Sequence, residues 1–160
     1  MEEKCIFRYS VINAYALPIC WIEVLDTGKD NVLVYRFNSK SWNGDTDIIK
    51  PEKLTVPETT VRKIKELIDG HPELFGFDEL EEPPDTFGEN SRFRFISGDK
   101  VADISGYNLW YYEDRDNRDV NGREPVRAWN VLAVFNRIRD LLLRVGIDPY
   151  YLRLAHEETE

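Results

Sequence analysis

The chain is short of the residues that usually announce chemistry. It has two cysteines and two histidines in 160 residues. Cys5 and Cys20 fall within stretches that read as strands, and their spacing matches no zinc signature. Both are expected to serve as small buried hydrophobes, free of a disulfide in a reducing compartment. His71 precedes a proline and His156 lies in the terminal "AHEETE"; neither has a recognisable nucleophile or carboxylate partner in the sequence. No glycine-rich phosphate loop is present, and nothing in the spacing calls for a metal or cofactor. No run approaches the roughly 18–20 apolar residues of a membrane span. The start, "MEEKCIFRYSV", lacks the basic, apolar and small-residue regions of a secretory signal. The expected location is the cytoplasm.

Basic charge is also scarce. Twenty-one Lys and Arg face 30 Asp and Glu, a formal charge of −9. Such a chain repels phosphate backbones and anionic membranes, so neither nucleic acid nor a membrane is expected as a partner. A charged protein partner would be basic.

What the chain does have is periodicity. Its length suits one domain, expected over residues 1–154 with a tail at 155–160. Residues 4–13 alternate, with Cys5, Phe7, Tyr9 and Val11 on one face and Arg8 and Ser10 on the other, which predicts a strand with one wet face. "PICWIEVL" (18–25) and "VLVYRF" (32–37) flank the turn cluster "DTGKDN" and predict a hairpin. Its strands are apolar on both faces, which predicts a central position covered on both sides at least in part. Residues 38–54 read as turns. Thr55 and Glu58 have capping-box spacing, and Val61, Ile64, Leu67 and Ile68 form the stripe of a first helix ending at Gly70. "HPELFGF" predicts a short further turn with Leu74, Phe75 and Phe77 as core plugs.

Residues 78–90, with six acidic side chains and two prolines, read as a poorly ordered surface loop. "RFRFI" and "KVADIS" then predict a hairpin around Gly98 and Asp99. In that register Ser97 faces Lys100, Arg94 faces Asp103, and Phe93 and Phe95 share a face with Ala102 and Ile104. A second helix begins at Pro125 and stops at Gly146. Its apolar face is predicted from Val126, Trp129, Leu132, Ala133, Phe135, Ile138, Leu141, Leu142 and Val145. "IDPYYLRL" predicts a short turn packing back. The sum is an α+β fold, an antiparallel sheet of five to six strands with two main helices on one face, in the order βββ-α-ββ-α.

The stretch "SGYNLWYYEDRDNRDVNGREPVRAW", residues 105–129, is the least ordinary. Asn117, Asp119, Asn121 and Gly122 match the first half of a calcium loop, but its closing glutamate would be Ala128, so a plain turn is the better reading. "NGDTD" at 43–47 reads the same way. Glu113, Asp114 and Asp116 lie in a polar segment, which argues against a carboxylate raised for acid–base work. If residues 107–112 are extended, Tyr107, Leu109 and Tyr111 point one way and Trp110 and Tyr112 the other. Packing of all four rings in the core or at its edge is the plainer reading, whereas large rings exposed beside charge would suit a protein contact. The expected contact residues are Trp110, Tyr112, Asp114, Asp116 and Asp119, with Trp42 as a further ring. The functional expectation is a non-enzymatic interaction or regulatory module. The alternative is a small enzyme or a small-ligand- or carbohydrate-binding protein using the aromatic 107–112 segment.

Overall fold

The computed structural model describes residues 4–13, 18–38, 47–48, 51–84 and 89–154. Seven strands form an antiparallel sheet: β1 (Cys5–Ile12), β2 (Pro18–Leu25), β3 (Val32–Asn38), β4 (Asp47–Ile48), β5 (Glu52–Leu54), β6 (Asn90–Ser97) and β7 (Lys100–Tyr107). Six lie in the order β4-β3-β2-β1-β6-β7, and β5 also pairs with β3. Helices α1 (Glu58–Asp69) and α2 (Val126–Arg144) cover one face, so the α+β architecture and the order βββ-α-ββ-α are as the periodicity predicts. The additions are β4 and β5, in a stretch expected to be turns.

The second hairpin has the predicted register. Ser97 faces Lys100, Arg94 faces Asp103, Phe93 faces Ile104 and Phe95 faces Ala102. Alternation forces this pairing, because a one-residue slip would turn both phenylalanines into water. On β1, Phe7, Tyr9 and Val11 are buried as predicted. A bulge between Cys5 and Phe7 brings Ile6 into the core as well.

The centre of the core is aromatic. The Phe135 ring of α2 lies 4.6 Å from Tyr9, 5.2 Å from Phe93 and 6.4 Å from Phe7, centroid to centroid. This contact seats α2 across β1 and β6. The buried stripe of α2 is Ala128, Val131, Leu132, Val134, Phe135, Ile138 and Leu142. It is rotated from the predicted face: Val126 and Ala133 are exposed and Trp129 is half-buried. Gly146, at φ +95°, ends the helix. Its N–H donates to Leu143 O, while Ile147 N–H donates to Leu142 O, the paired bonds that a left-handed glycine closes.

Helix α1 starts later than Thr55. Its N-cap is Pro57, and no side chain caps it from that position. Thr55 Oγ1 instead accepts from Asp30 N–H at 3.0 Å. The fully buried Asn31 holds the same entry: its Oδ1 accepts from Val56 N–H at 2.8 Å and its Nδ2 donates to Val56 O at 2.9 Å. The β2–β3 turn thus fixes the chain that leads into α1 without capping the helix itself.

The predicted plugs after α1 are present: Leu74 is buried, and Phe75 and Phe77 pack against the core. At the C-terminal end a 3-10 turn, Pro149–Leu152, packs back and is capped by Asp148. Tyr9 Oη donates to Arg153 O at 2.7 Å, tying this segment to the central strand. Cys5 and Cys20 are both free. Cys20 is buried, and burial pushes its thiol up to about 11. No helix among the described residues is long and apolar enough to cross a membrane.

Among the described residues, the opposite face of the sheet carries no helix. Trp21, Leu33, Tyr35 and Phe37 stand on it half-buried. Position 42 and residues 155–160 lie outside the described residues, as does most of 43–47.

Candidate functional site

Strand β7 ends at Tyr107, and the next residue, Asn108, takes a left-handed conformation (φ 49°, ψ 45°). Asparagine tolerates this better than most residues. The reversal sends the chain into a 3-10 turn, Leu109–Glu113, closed by Tyr111 N–H donating to Asn108 O. The rings therefore do not alternate as in a strand. Leu109 and Tyr112 point inward and are buried, Tyr111 is half-buried, and Trp110 is left 47% exposed. Tyr107 is 41% exposed.

Tyr112 is not the solvent-facing anchor that an extended segment predicts. It is only 1% exposed, and its hydroxyl donates to Glu81 O at 3.0 Å. Burial first, then the nearby Asp119 and Glu81 carboxylates, push its phenol well above the ordinary range.

Two of the predicted contact carboxylates organise the loop. Asp114 Oδ1 accepts from Asp116 N–H at 3.0 Å. Asp119 Oδ1 accepts from Asn121 N–H and Arg123 N–H, both at 2.8 Å. Gly122 sits within that turn at φ +73°. Asn117 Nδ2 donates to Tyr111 O at 2.6 Å, so its amide faces the chain. Of the calcium-loop candidates, Asp119 thus commits one oxygen to two backbone donors, and Asn117 turns its amide nitrogen to Tyr111 O. Among the described residues no three His, Cys, Asp or Glu side chains are grouped to hold a metal ion. Of the predicted contact residues, Trp110 and Asp116 keep exposed side chains free of such duties.

The segment is anchored by the acidic stretch that precedes β6. Leu80 N–H donates to Ser105 O and Ser105 N–H donates to Asp78 O, both at 3.0 Å, so this stretch adds a parallel bridge to the edge of β7. Leu80 and Pro83 are buried, which corrects the expectation of a loose loop for residues 78–84. The Glu81 carboxylate caps α2 from a distance: Oε2 accepts from Arg127 N–H and Oε1 from Ala128 N–H, each at 2.9 Å. These are second- and third-position amides of a helix that Pro125 cannot cap itself. Glu82 O accepts from Val120 N–H at 2.8 Å. One acidic strand thereby holds β7, the 3-10 turn, the Asp119 turn and the start of α2.

Gly106 is required at this junction. A Cβ there would lie 2.8 Å from Leu109 Cδ2 and 3.1 Å from Leu80 Cδ1. Beside it is a groove of about 330 Å³ lined by Glu79, Glu81, Glu82, Ser105 and Tyr107. Of the five large exposed hydrophobics among the described residues, Tyr107, Trp110, Val120 and Val126 belong to residues 107–126 and only Val101 does not. Exposed apolar side chains next to an acidic groove suit a partner that offers apolar and basic groups together. His71 takes no part: its Nδ1 lies 2.5 Å from Leu67 O.

Sequence reasoning finds Trp110 through its aromatic neighbours. It misses Glu81, Glu82 and Val120, whose roles depend on contacts far apart in the chain. No protein-family model matches the chain, and no curated protein matches it in sequence.

Proposed function

We propose that this protein is a non-enzymatic interaction module that binds a protein with a basic surface. The contact centres on Trp110, with Tyr107 and Val120 as apolar neighbours and Glu79, Glu82 and Asp116 supplying negative charge. The observation that carries the reading is the half-exposed Trp110 ring, held outward by a turn whose other rings, Tyr111 and Tyr112, are half-buried and buried. Tryptophan dominates contact energies because it buries a large area with little conformational freedom to lose. Tyr112, Asp114 and Asp119 support this surface from beneath. The turns they build hold the Trp110 backbone in place before any partner arrives, which lowers the ordering cost of binding.

A photo-crosslinking residue placed at Glu113, exposed in the same turn as Trp110, and separately at Lys29 in the β2–β3 turn, tests this in a lysate of the native source. The expected result is one basic protein captured from position 113, absent from position 29, and lost when irradiation is carried out at raised salt. Identical adducts from both positions, or none from 113, would refute the proposal.

A further inference from the structure

The helix-free face of the sheet carries a second feature, built by register. Across β1 and β6, Arg8 faces Arg94 and Ser10 faces Arg92. The rows continue outward: Arg8 faces Glu23 on β2, and Arg94 faces Asp103 on β7. Ser10 faces Trp21, and Arg92 faces Ser105. Three guanidinium groups on neighbouring strands therefore surround Ser10, a small side chain between Trp21 and Arg92. The result is a cavity of about 540 Å³ with Ser10 among its lining residues and Arg8, Arg92, Arg94 and Trp21 around it.

Like charges directly opposite one another destabilise a sheet. Here two of the arginines are pinned from outside. Arg8 Nε donates to Glu23 Oε1 at 3.0 Å, and its guanidinium stacks 4.5 Å above the Trp21 ring. Trp21 Nε1 donates to the same Glu23 oxygen at 2.8 Å. Arg94 Nη1 lies 3.6 Å from Asp103 Oδ1, while its Nε is buried with no hydrogen-bond partner among the described residues. Arg92 is exposed and has no ion pair among the described residues. The notch thus holds one orphaned buried donor and one free guanidinium, with a serine hydroxyl on either side of Arg92. Guanidinium forks beside hydroxyl donors match the oxygens of a carboxylate or phosphate.

We propose that this notch binds a small ligand through a single carboxylate or phosphate group, held by Arg92 and Arg94 above Ser10. Asp78 and Glu79 stand on the rim beside β7, and the whole chain is acidic. Both features favour a ligand with one anionic group over a polyanionic strand.

The test uses the full chain labelled with ¹⁵N and follows the arginine Nε–Hε resonances. Inorganic phosphate and succinate are titrated separately, with sodium chloride holding ionic strength constant. Saturable shifts of the Arg92 and Arg94 signals are expected with at least one anion, and the anion that saturates names the group. Arg92→Gln, an exposed substitution that leaves the hairpin resonances in place, is expected to weaken binding about tenfold or more. Trp110→Ala is expected to leave it unchanged, which separates this site from the protein contact. Absence of saturation with both anions, or equal affinity in Arg92→Gln, would overturn the assignment.

Discussion

Replacing Glu81 with alanine tests how far the fold depends on one distant carboxylate. In the native chain both of its oxygens accept backbone N–H groups from the first turn of α2, at 2.9 Å each. Without it, Arg127 N–H and Ala128 N–H lose their protein acceptor, because Pro125 offers no side-chain cap. Loss of a helix cap costs about 1 kcal/mol. A charge at the positive end of a helix adds about 0.3–1 kcal/mol. The bonds here are charge-assisted and one is partly buried, so the sum is about 2 kcal/mol. Urea unfolding followed by circular dichroism would read this as a lower midpoint with an unchanged slope. Glu81→Gln keeps an acceptor without the charge and is expected to lose roughly half as much. Glu82→Ala is the control, because Glu82 contributes its backbone carbonyl to Val120 rather than its side chain. A Glu81→Ala change within about 0.5 kcal/mol of wild type, the usual scatter of surface substitutions, would refute the capping role.

Three further outcomes follow from burial and contact. The folded-state phenol of Tyr112 is raised above its ordinary value of 10.0. Its contribution to stability is therefore complete below pH 10 and falls as pH climbs past it, since the unfolded chain ionises first; against Tyr112→Phe the wild type should lose at most about 1.4 kcal/mol more per pH unit. Cys20 is fully buried and its thiol is pushed up to about 11, so at pH 8 roughly one thiolate in a thousand is present; iodoacetamide should modify Cys5 first, and native-state modification of Cys20 at an equal rate would contradict the packing. Phe135→Ala removes the ring that meets Tyr9, Phe93 and Phe7 and should cost about 3–5 kcal/mol by urea unfolding, whereas a loss under 1 kcal/mol would mean that α2 is not seated there.

The parts of this structure that local pattern determines are legible in the sequence. The β6–β7 register follows from a two-residue turn at Gly98 and Asp99 and from phenylalanines that must share a face. The length of α2 follows from Pro125 and Gly146. The phase of its buried stripe does not, because apolar residues surround so much of this helix that only packing against Tyr9 and Phe93 selects the inner side. The 107–112 aromatics suggest a strand, and the left-handed Asn108 that turns them into a 3-10 helix leaves almost no local signal. The capping box at Thr55 and Glu58 is present as a spacing, but the Thr55 hydroxyl is taken by Asp30 N–H, and Asn31 pins Val56 just before the helix. Glu81 looks like one more acid in a charged run, and its function exists only once α2 is brought to it. Arg8, Arg92 and Arg94 likewise read as an ordinary wet face until β1 pairs with β6.

The most direct test of the interaction surface is the affinity of the partner captured from position 113, measured by calorimetry for wild type and for Trp110→Ala. A central tryptophan should carry about 2 kcal/mol or more, roughly a 30-fold weakening, with the variant's urea midpoint unchanged. Equal affinities for the two proteins would contradict the account.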